Sequence, residues 1–355
     1  MPIRTTTIGS YPKPDYVPLQ DWYHAKPEGD RGVHPTDPTR LYAEFEKART
    51  ERDDELLDRG TQEVVREQAE LGIDVPTDGE VRRDHYVYYH LRALSGFDFE
   101  RTTERAMRAG GWTAAVPTVR GPIEHRRHFL RHDWRTAQAA TDRPVKITVP
   151  GPMTIAGSTA DDHYGDERAL GAALGDALNQ EIRDLAEAGC PWIQVDEPLF
   201  ARHPDKALEF GMDNLARCLH RLPEGTNTAV HVCCGYPAEL DQQDYPKADP
   251  GAYLELAEAL DDAPVGAVSL EDAHRPNDLR LLERYRRTTV ILGLVEVAST
   301  RLEPVDAIRG RLSQALEHID PHRLMAAPDC GLVMLPRALA VDKLRNLVAA
   351  ARQVG

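Results

Sequence analysis

The sequence predicts an α/β fold, because short β-branched apolar runs alternate with longer segments of helical period along most of its 355 residues. Eight runs read as strands: Thr5 to Ile8, Ile73 to Thr77, Val145 to Val149, Trp192 to Val195, Thr228 to Val232, Gly266 to Leu270, Thr289 to Val295 and Leu324 to Ala327. Their apolar character suits parallel strands joined by crossover helices. Eight strand-helix units predict a single TIM (β/α)8 barrel over residues 1–355, with a long first loop and an inserted segment after the second strand.

The helices follow from periodicity. Glu167 to Ala188 places Leu170, Ala173, Leu174, Ala177 and Leu178 at core-facing spacing, and Arg337 to Arg352 forms the last helix. Residues 11–47 are too long for a simple barrel loop. Pro12, Pro14, Pro18, Pro27, Pro35 and Pro38, beside Tyr16, Trp22 and Tyr23, predict an irregular cover across the mouth. Residues 85–142 carry arginines 101, 105, 108, 120, 126, 127, 131 and 135. That segment could hold an anionic substrate group or form a subunit contact, and a solvated helical face is the commoner reading. No repeat, low-complexity tract or linker divides the chain, so one domain is expected.

Composition narrows the function classes. A hydrophobic content of 41% with 28% charged residues describes a globular protein, and the formal charge of -15 disfavours nucleic acid, whose phosphates need a basic surface. The five cysteines are odd in number and form no dense framework, which fits a reducing cytoplasm. No apolar run approaches the ~20 residues of a membrane span, and the first residues lack a signal-peptide core. A small-molecule substrate is expected.

Barrel chemistry collects on the loops after the strands, and the polar residues of this chain fall there. The strands lead into Ser10, Asp78-Gly-Glu80, Asp196-Glu197, His231-Val-Cys233, Glu271-Asp272, Glu296 and Asp329-Cys330. His231, Cys233, Glu271 and Cys330 together offer an imidazole, two thiolates and a carboxylate, a set that suits zinc. The carboxylate can yield to an incoming thiol, which zinc would turn into a nucleophile near neutral pH. Buried core cysteines are the alternative reading of Cys233 and Cys330. Their company of carboxylates on one rim favours the ligand reading.

These residues also carry a resemblance. The ordered series Thr5-Thr-Thr-Ile-Gly-Ser10, Asp78-Gly-Glu80, Gly151-Pro-Met-Thr154, Ile193-Gln-Val-Asp-Glu-Pro198, His231-Val-Cys233, Glu271 and Pro328-Asp-Cys-Gly331 resembles the catalytic barrel of cobalamin-independent methionine synthase. The resemblance implies a zinc-dependent S-methyltransferase that activates homocysteine as a thiolate. His231, Cys233, Glu271 and Cys330 would hold the zinc. Ser10 would receive the amino-acid carboxylate, and Glu80 and Asp196 its ammonium group.

Two departures bear on the methyl donor. The full-length synthase has a second, N-terminal barrel that helps bind folate, and it carries a histidine after the seventh strand that serves the departing folate nitrogen. Here that stretch reads Glu296-Val-Ala-Ser299, so Ala298 stands at the histidine's place. A folate amine leaves poorly without a proton, so methylcobalamin, a corrinoid protein or another small donor is expected instead. An alternative keeps the zinc and changes the electrophile, as in epoxyalkane:coenzyme M transferase. His274, three residues after Glu271, would supply the acid. His274 and Glu296 are the candidate catalytic residues. A non-catalytic zinc protein is the third reading, and the open carboxylates around the rim weigh against it.

Overall fold

The computed structural model describes residues 2–19, 38–107, 112–235, 237, 239–243 and 245–354. In chain order its strands are β1 (Arg4–Thr5), β2 (Phe97–Met107), β3 (Trp112–Val119), β4 (Lys146–Pro150), β5 (Ala160–Asp161), β6 (Trp192–Asp196), β7 (Asn227–Val232), β8 (Ala267–Leu270), β9 (Thr289–Gly293) and β10 (Leu324–Ala327). Seven of them form one curled sheet in the order β1-β10-β9-β8-β7-β6-β4, and every pairing is parallel. Strands β4, β6, β8 and β10 are buried at every position, as their apolar runs require.

The second expected strand, Ile73 to Thr77, is not a regular strand. It makes single parallel bridges at Thr6↔Val75 and Thr77↔Lys146, one toward each edge of the sheet. Pro76 has no N–H to give, and the Thr77 N–H goes to Thr7 Oγ1 and Gln68 Oε1. The eight-stranded ladder expected from the sequence is therefore seven regular strands plus this bridged segment. Val75 still packs in an interior layer with Ile8, Trp192, Ala229, Ala267, Ile291, Met325 and Ala327.

Helices cover the outside of the sheet. Helix Glu167–Glu187 buries Leu170, Leu174, Ala177 and Leu178, with Ala173 half-buried, and Arg337–Gln353 closes the chain. Helix Glu51–Leu71 starts in a reciprocal cap between Thr50 and Asp53 and stops at Gly72, whose φ of 100° only glycine adopts readily.

The segment 85–142 is not the helical face expected from its arginines. β2 and β3 form an antiparallel hairpin, β5 adds to it in parallel, and helix Leu130–Gln138 follows. Arg101 and Arg105 lie on β2, where Arg101 pairs with Asp98 and Arg105 donates to the carbonyls of Ala156 and Thr159. Arg120 pairs with Asp162 and Arg131 with Asp184, while Arg108 lies outside the described residues. Much of the expected cover at 11–47, including Trp22, Tyr23, Pro27 and Pro35, also lies outside them. Among the described residues no helix is long and apolar enough to cross a membrane.

Candidate active site

Register brings the ligand residues together. Parallel pairing sets Asp196 opposite His231 and His231 opposite Ser269, so the ends of β6, β7 and β8 share one rim. His231 Nδ1 is 3.0 Å from Ser269 Oγ. Its other nitrogen, Nε2, is buried with no hydrogen-bond partner. The ligand atoms of His231, Cys233 and Cys330 lie within 4.8 Å of one another, and all three residues are buried. An orphaned imidazole nitrogen beside two sulfurs fits a thiophilic divalent ion such as zinc.

Glu271 adjoins this group. The Cys233 thiol donates to Glu271 Oε1 at 2.9 Å, and the Gly235 N–H donates to Cys233 Sγ at 3.2 Å. The hydrogen bond with Cys330, and then burial, pushes the Cys233 thiol up. Burial, followed by the charge of Cys233, raises the Glu271 carboxyl well above the usual carboxylate range. A divalent cation would offset both penalties.

Ser10, Glu80 and Asp196 face the same end of the sheet. A Cβ at Gly331 would lie 2.1 Å from Ser10 Oγ, and the Leu332 N–H donates to the Ser10 carbonyl at 2.7 Å, so Ser10 rests on the residue that follows Cys330. A Cβ at Gly9 would lie 2.8 Å from Glu80 Oε1, which places the Glu80 carboxylate against the backbone next to Ser10. Glu80 has a φ of 57°, a left-handed conformation that a non-glycine residue holds only where its surroundings demand it. Thr148 Oγ1 donates to Glu80 Oε1 at 2.8 Å, and Arg83 reaches the same oxygen at 3.4 Å. Burial raises Glu80 to about 7, against the pull of Arg83 and with the push of Asp196. Burial likewise raises Asp196, which His231 draws down.

The remaining rim carboxylates have other partners. Glu197 accepts the N–H groups of Met153 and Thr154 at 2.9 Å each and the Thr154 hydroxyl at 2.8 Å, so it caps helix Pro152–Ser158. Glu296, expected to be catalytic, pairs with Arg301 at 2.7 Å. Asp329 accepts the N–H groups of Asp272, Ala273 and His274, and its Oδ2 is 2.8 Å from His274 Nδ1. Burial acts to raise Asp329, but these bonds hold it below the usual carboxylate range. His274 Nε2 accepts the Ala298 N–H at 3.2 Å.

Two residues near the site, Lys146 and Tyr245, carried no sequence signal. Lys146 is fully buried inside the sheet, and its ammonium donates to Gln194 Oε1 at 2.5 Å. The Gln194 amide nitrogen donates to Asp196 Oδ1 and to the Ile8 carbonyl, each at 2.7 Å. Burial lowers Lys146 to about 7. Within β4 it reads as the polar start of an apolar run, and only its hydrogen bond to Gln194 on the neighbouring strand gives it a role. The Tyr245 hydroxyl is buried without a hydrogen-bond partner, and burial, then the charges of Glu271, Asp329, Cys233 and Glu296, raise it. A hydrophobic-periodicity reading passes over such a loop tyrosine.

The fold and the cluster define an α/β protein that carries a His-Cys-Cys group able to hold a metal, with buried carboxylates, at the carboxyl ends of a parallel sheet. The chain belongs to the family described as cobalamin-independent synthase, catalytic domain, whose model matches residues 34–353. It is 30% identical to a methionine synthase of Sulfolobus acidocaldarius over 349 residues, covering 97% of this chain and 90% of that one. It is 28% identical to a methionine synthase of Thermococcus kodakarensis over 350 residues, covering 97% and 91%. The fold resembles that of a B12-independent methionine synthase from Shewanella sp. W3-18-1 in complex with selenomethionine, with a TM-score of 0.83, 28% identity and coverage of 99% and 97%.

These matches bear on the donor expected from the sequence. The family's description as cobalamin-independent counts against a corrinoid partner. The chain covers 90% and 91% of these two relatives named methionine synthase, so its single catalytic unit does not set it apart from them.

Proposed function

We propose that the chain is a zinc-dependent S-methyltransferase that converts homocysteine to methionine. The observation that carries this reading is the unpartnered Nε2 of His231 grouped with the Cys233 and Cys330 sulfurs, at the same end of the sheet as Ser10, Glu80 and Asp196. We read the bridged segment 73–77 as the eighth stave of a closed barrel and residues 1–355 as one catalytic unit. Closure would bring Glu80 across from Asp196.

His231, Cys233 and Cys330 would hold the zinc, with Glu271 as the ligand that gives way. When bound, zinc would lower the pKa of the substrate thiol so that sulfur attacks as the anion. Glu80 and Asp196 would grip the substrate ammonium. Two buried carboxylates this close are costly alone, and a cation between them removes that cost. Ser10 would hold the carboxylate through its hydroxyl and its backbone N–H. The buried carboxylates favour an amino-acid thiol over coenzyme M, which has no ammonium group.

The methyl donor would be a small molecule whose leaving group is served by His274. Asp329 fixes the ring through Nδ1, which leaves Nε2 as the atom that takes and gives a proton. To donate, Nε2 would have to release the Ala298 N–H. Glu296, tied to Arg301, is a second group that can handle protons on this rim.

A turnover assay tests the proposal. Homocysteine or coenzyme M would be paired with several methyl donors and with an epoxide. Methionine formation supports the reading, and turnover of coenzyme M alone sinks it. Calorimetry in buffers of different ionisation enthalpy should show close to one proton released per homocysteine bound, the mark of a thiol bound as thiolate.

A further inference from the structure

We propose that His125, His128 and Glu181, with Asp184 beside them, form a second divalent-cation site that fastens the inserted segment to helix Glu167–Glu187. His125 Nε2 lies 2.8 Å and His128 Nδ1 3.0 Å from Glu181 Oε2, and the two rings are 4.3 Å apart between centroids. The three ligand atoms all lie within 4.8 Å of one another. Asp184 Oδ2 is 3.6 Å from His128 Nδ1, and both Asp184 oxygens accept from Arg131, which holds the carboxylate beside the group. Ligand atoms around a tetrahedral zinc, each about 2.0–2.1 Å from the metal, stand roughly 3.3 Å apart. The observed spacings bracket that value.

The carboxylate is oriented for the task. Glu181 is buried, and its Oε1 accepts the N–H groups of Phe129 and Leu130 at 3.0 and 2.8 Å. Those bonds hold one oxygen to the backbone and turn the other toward the imidazoles, which is how outer partners orient metal ligands. The sequence spacing is consistent with this. Glu181 and Asp184 stand three residues apart on one helical face, and His125 and His128 are also three apart.

Access comes through His128, whose side chain is 47% exposed, while that of His125 is 6% exposed. A cation entering there replaces the two N–H···O bonds onto Oε2. The proton on each ligating nitrogen moves to the other ring nitrogen or leaves to solvent. With nitrogen and oxygen donors only, this site differs in kind from the sulfur-bearing group around Cys233 and Cys330. It requires nothing of the proposed methyl transfer.

Zinc or cobalt(II) added to the full chain tests the proposal, with metal content measured after dialysis. A second equivalent should bind in the unmodified protein, persist in Cys330→Ser, and weaken about ten-fold or more in His128→Ala. His128 is half-exposed, so its loss leaves the core intact, and an unchanged circular dichroism spectrum would verify this. Cobalt at this site should add no sulfur-to-metal charge-transfer band, whereas cobalt at the cysteine site should. Metal should also slow hydrogen exchange at the Leu130 amide. Unchanged second-equivalent affinity in His128→Ala, or no metal bound by Cys330→Ser, would overturn the second site. Absence of sulfur-to-cobalt absorption in the unmodified protein, with the second equivalent still bound and still weakened by His128→Ala, would instead count against the cysteine site alone.

Discussion

The Ala298 N–H donates to His274 Nε2 at 3.2 Å, while His274 Nδ1 sits 2.8 Å from Asp329 Oδ2. The position where the resemblance leads one to expect a histidine thus touches a different imidazole through its backbone. The ring comes from the loop after β8 rather than the loop after β9. It is anchored by a carboxylate that also accepts the N–H groups of Asp272 and Ala273.

His274 is expected to act on the leaving group. His274→Gln should lower kcat by about 10²–10⁴ for a donor whose leaving group needs a proton, with little change for a donor that leaves unaided. Bound zinc should be unchanged, which separates this effect from damage to the ligands. Equal turnover with every donor would move the acid elsewhere, and Tyr245, with its unpartnered hydroxyl, would be examined next. Ala298→His should raise turnover of methyltetrahydrofolate by adding a second imidazole at the same place.

The tight metal is expected to depend on sulfur. The purified protein should hold about one zinc equivalent, and Cys233→Ser and Cys330→Ser should each lose it, because a hydroxyl replaces a thiolate ligand. Elemental analysis reads this directly. Full retention in both variants would refute the ligand assignment.

Glu80 is expected to make both binding and stability depend on pH. Its folded value, raised to about 7 from an ordinary 4.5, means that the folded protein favours the protonated acid. Its contribution to stability is therefore present below about 4.5 and lost as the pH rises to about 7. Denaturant titrations should show unmodified protein losing more stability than Glu80→Gln across that window. Methionine, which carries the same ammonium group, should bind more tightly as the pH rises through about 7. A pH dependence that persists in Glu80→Gln would remove Glu80 from the ammonium site.

The buried relay from Lys146 through Gln194 to Asp196 is expected to govern substrate affinity rather than chemistry. Asp196→Asn should weaken homocysteine by about 1.5–3 kcal/mol, the value of a charge-assisted hydrogen bond. Lys146→Met frees the Gln194 amide to turn, so KM for homocysteine should rise while kcat changes little. A fall in kcat at constant KM would show that Lys146 serves the reacting atoms instead.

Much of the molecule was legible without coordinates. Apolar runs such as Val145 to Val149 and Leu324 to Ala327 became strands because a parallel strand covered on both faces leaves its mark in consecutive residues. Helix Glu167–Glu187 kept its period, and His231, Cys233, Glu271 and Cys330 came to one rim because each lies at or just past the end of a strand of the same sheet. Residue type and local spacing are properties of a short stretch of chain, so the sequence by itself determined seven of the eight expected strands, helices such as Glu167–Glu187 and Arg337–Gln353, and which residues offer a candidate ligand set.

The tertiary structure alone decided how the carboxylates divide their work. Glu197 and Asp329 read like Asp196 in sequence, yet one caps a helix and the other anchors a loop and His274, because the N–H groups they face come from segments distant in the chain. The same holds for the bridged segment at Val75 and Thr77, for the hairpin that replaced an expected helical face, and for Lys146, whose partner Gln194 lies on the neighbouring strand. It holds too for Glu181, whose companions His125 and His128 arrive from the inserted segment. Hydrogen bonds and ligand groups are set by strand register and helix docking between remote segments, and no local pattern of residues encodes those distances.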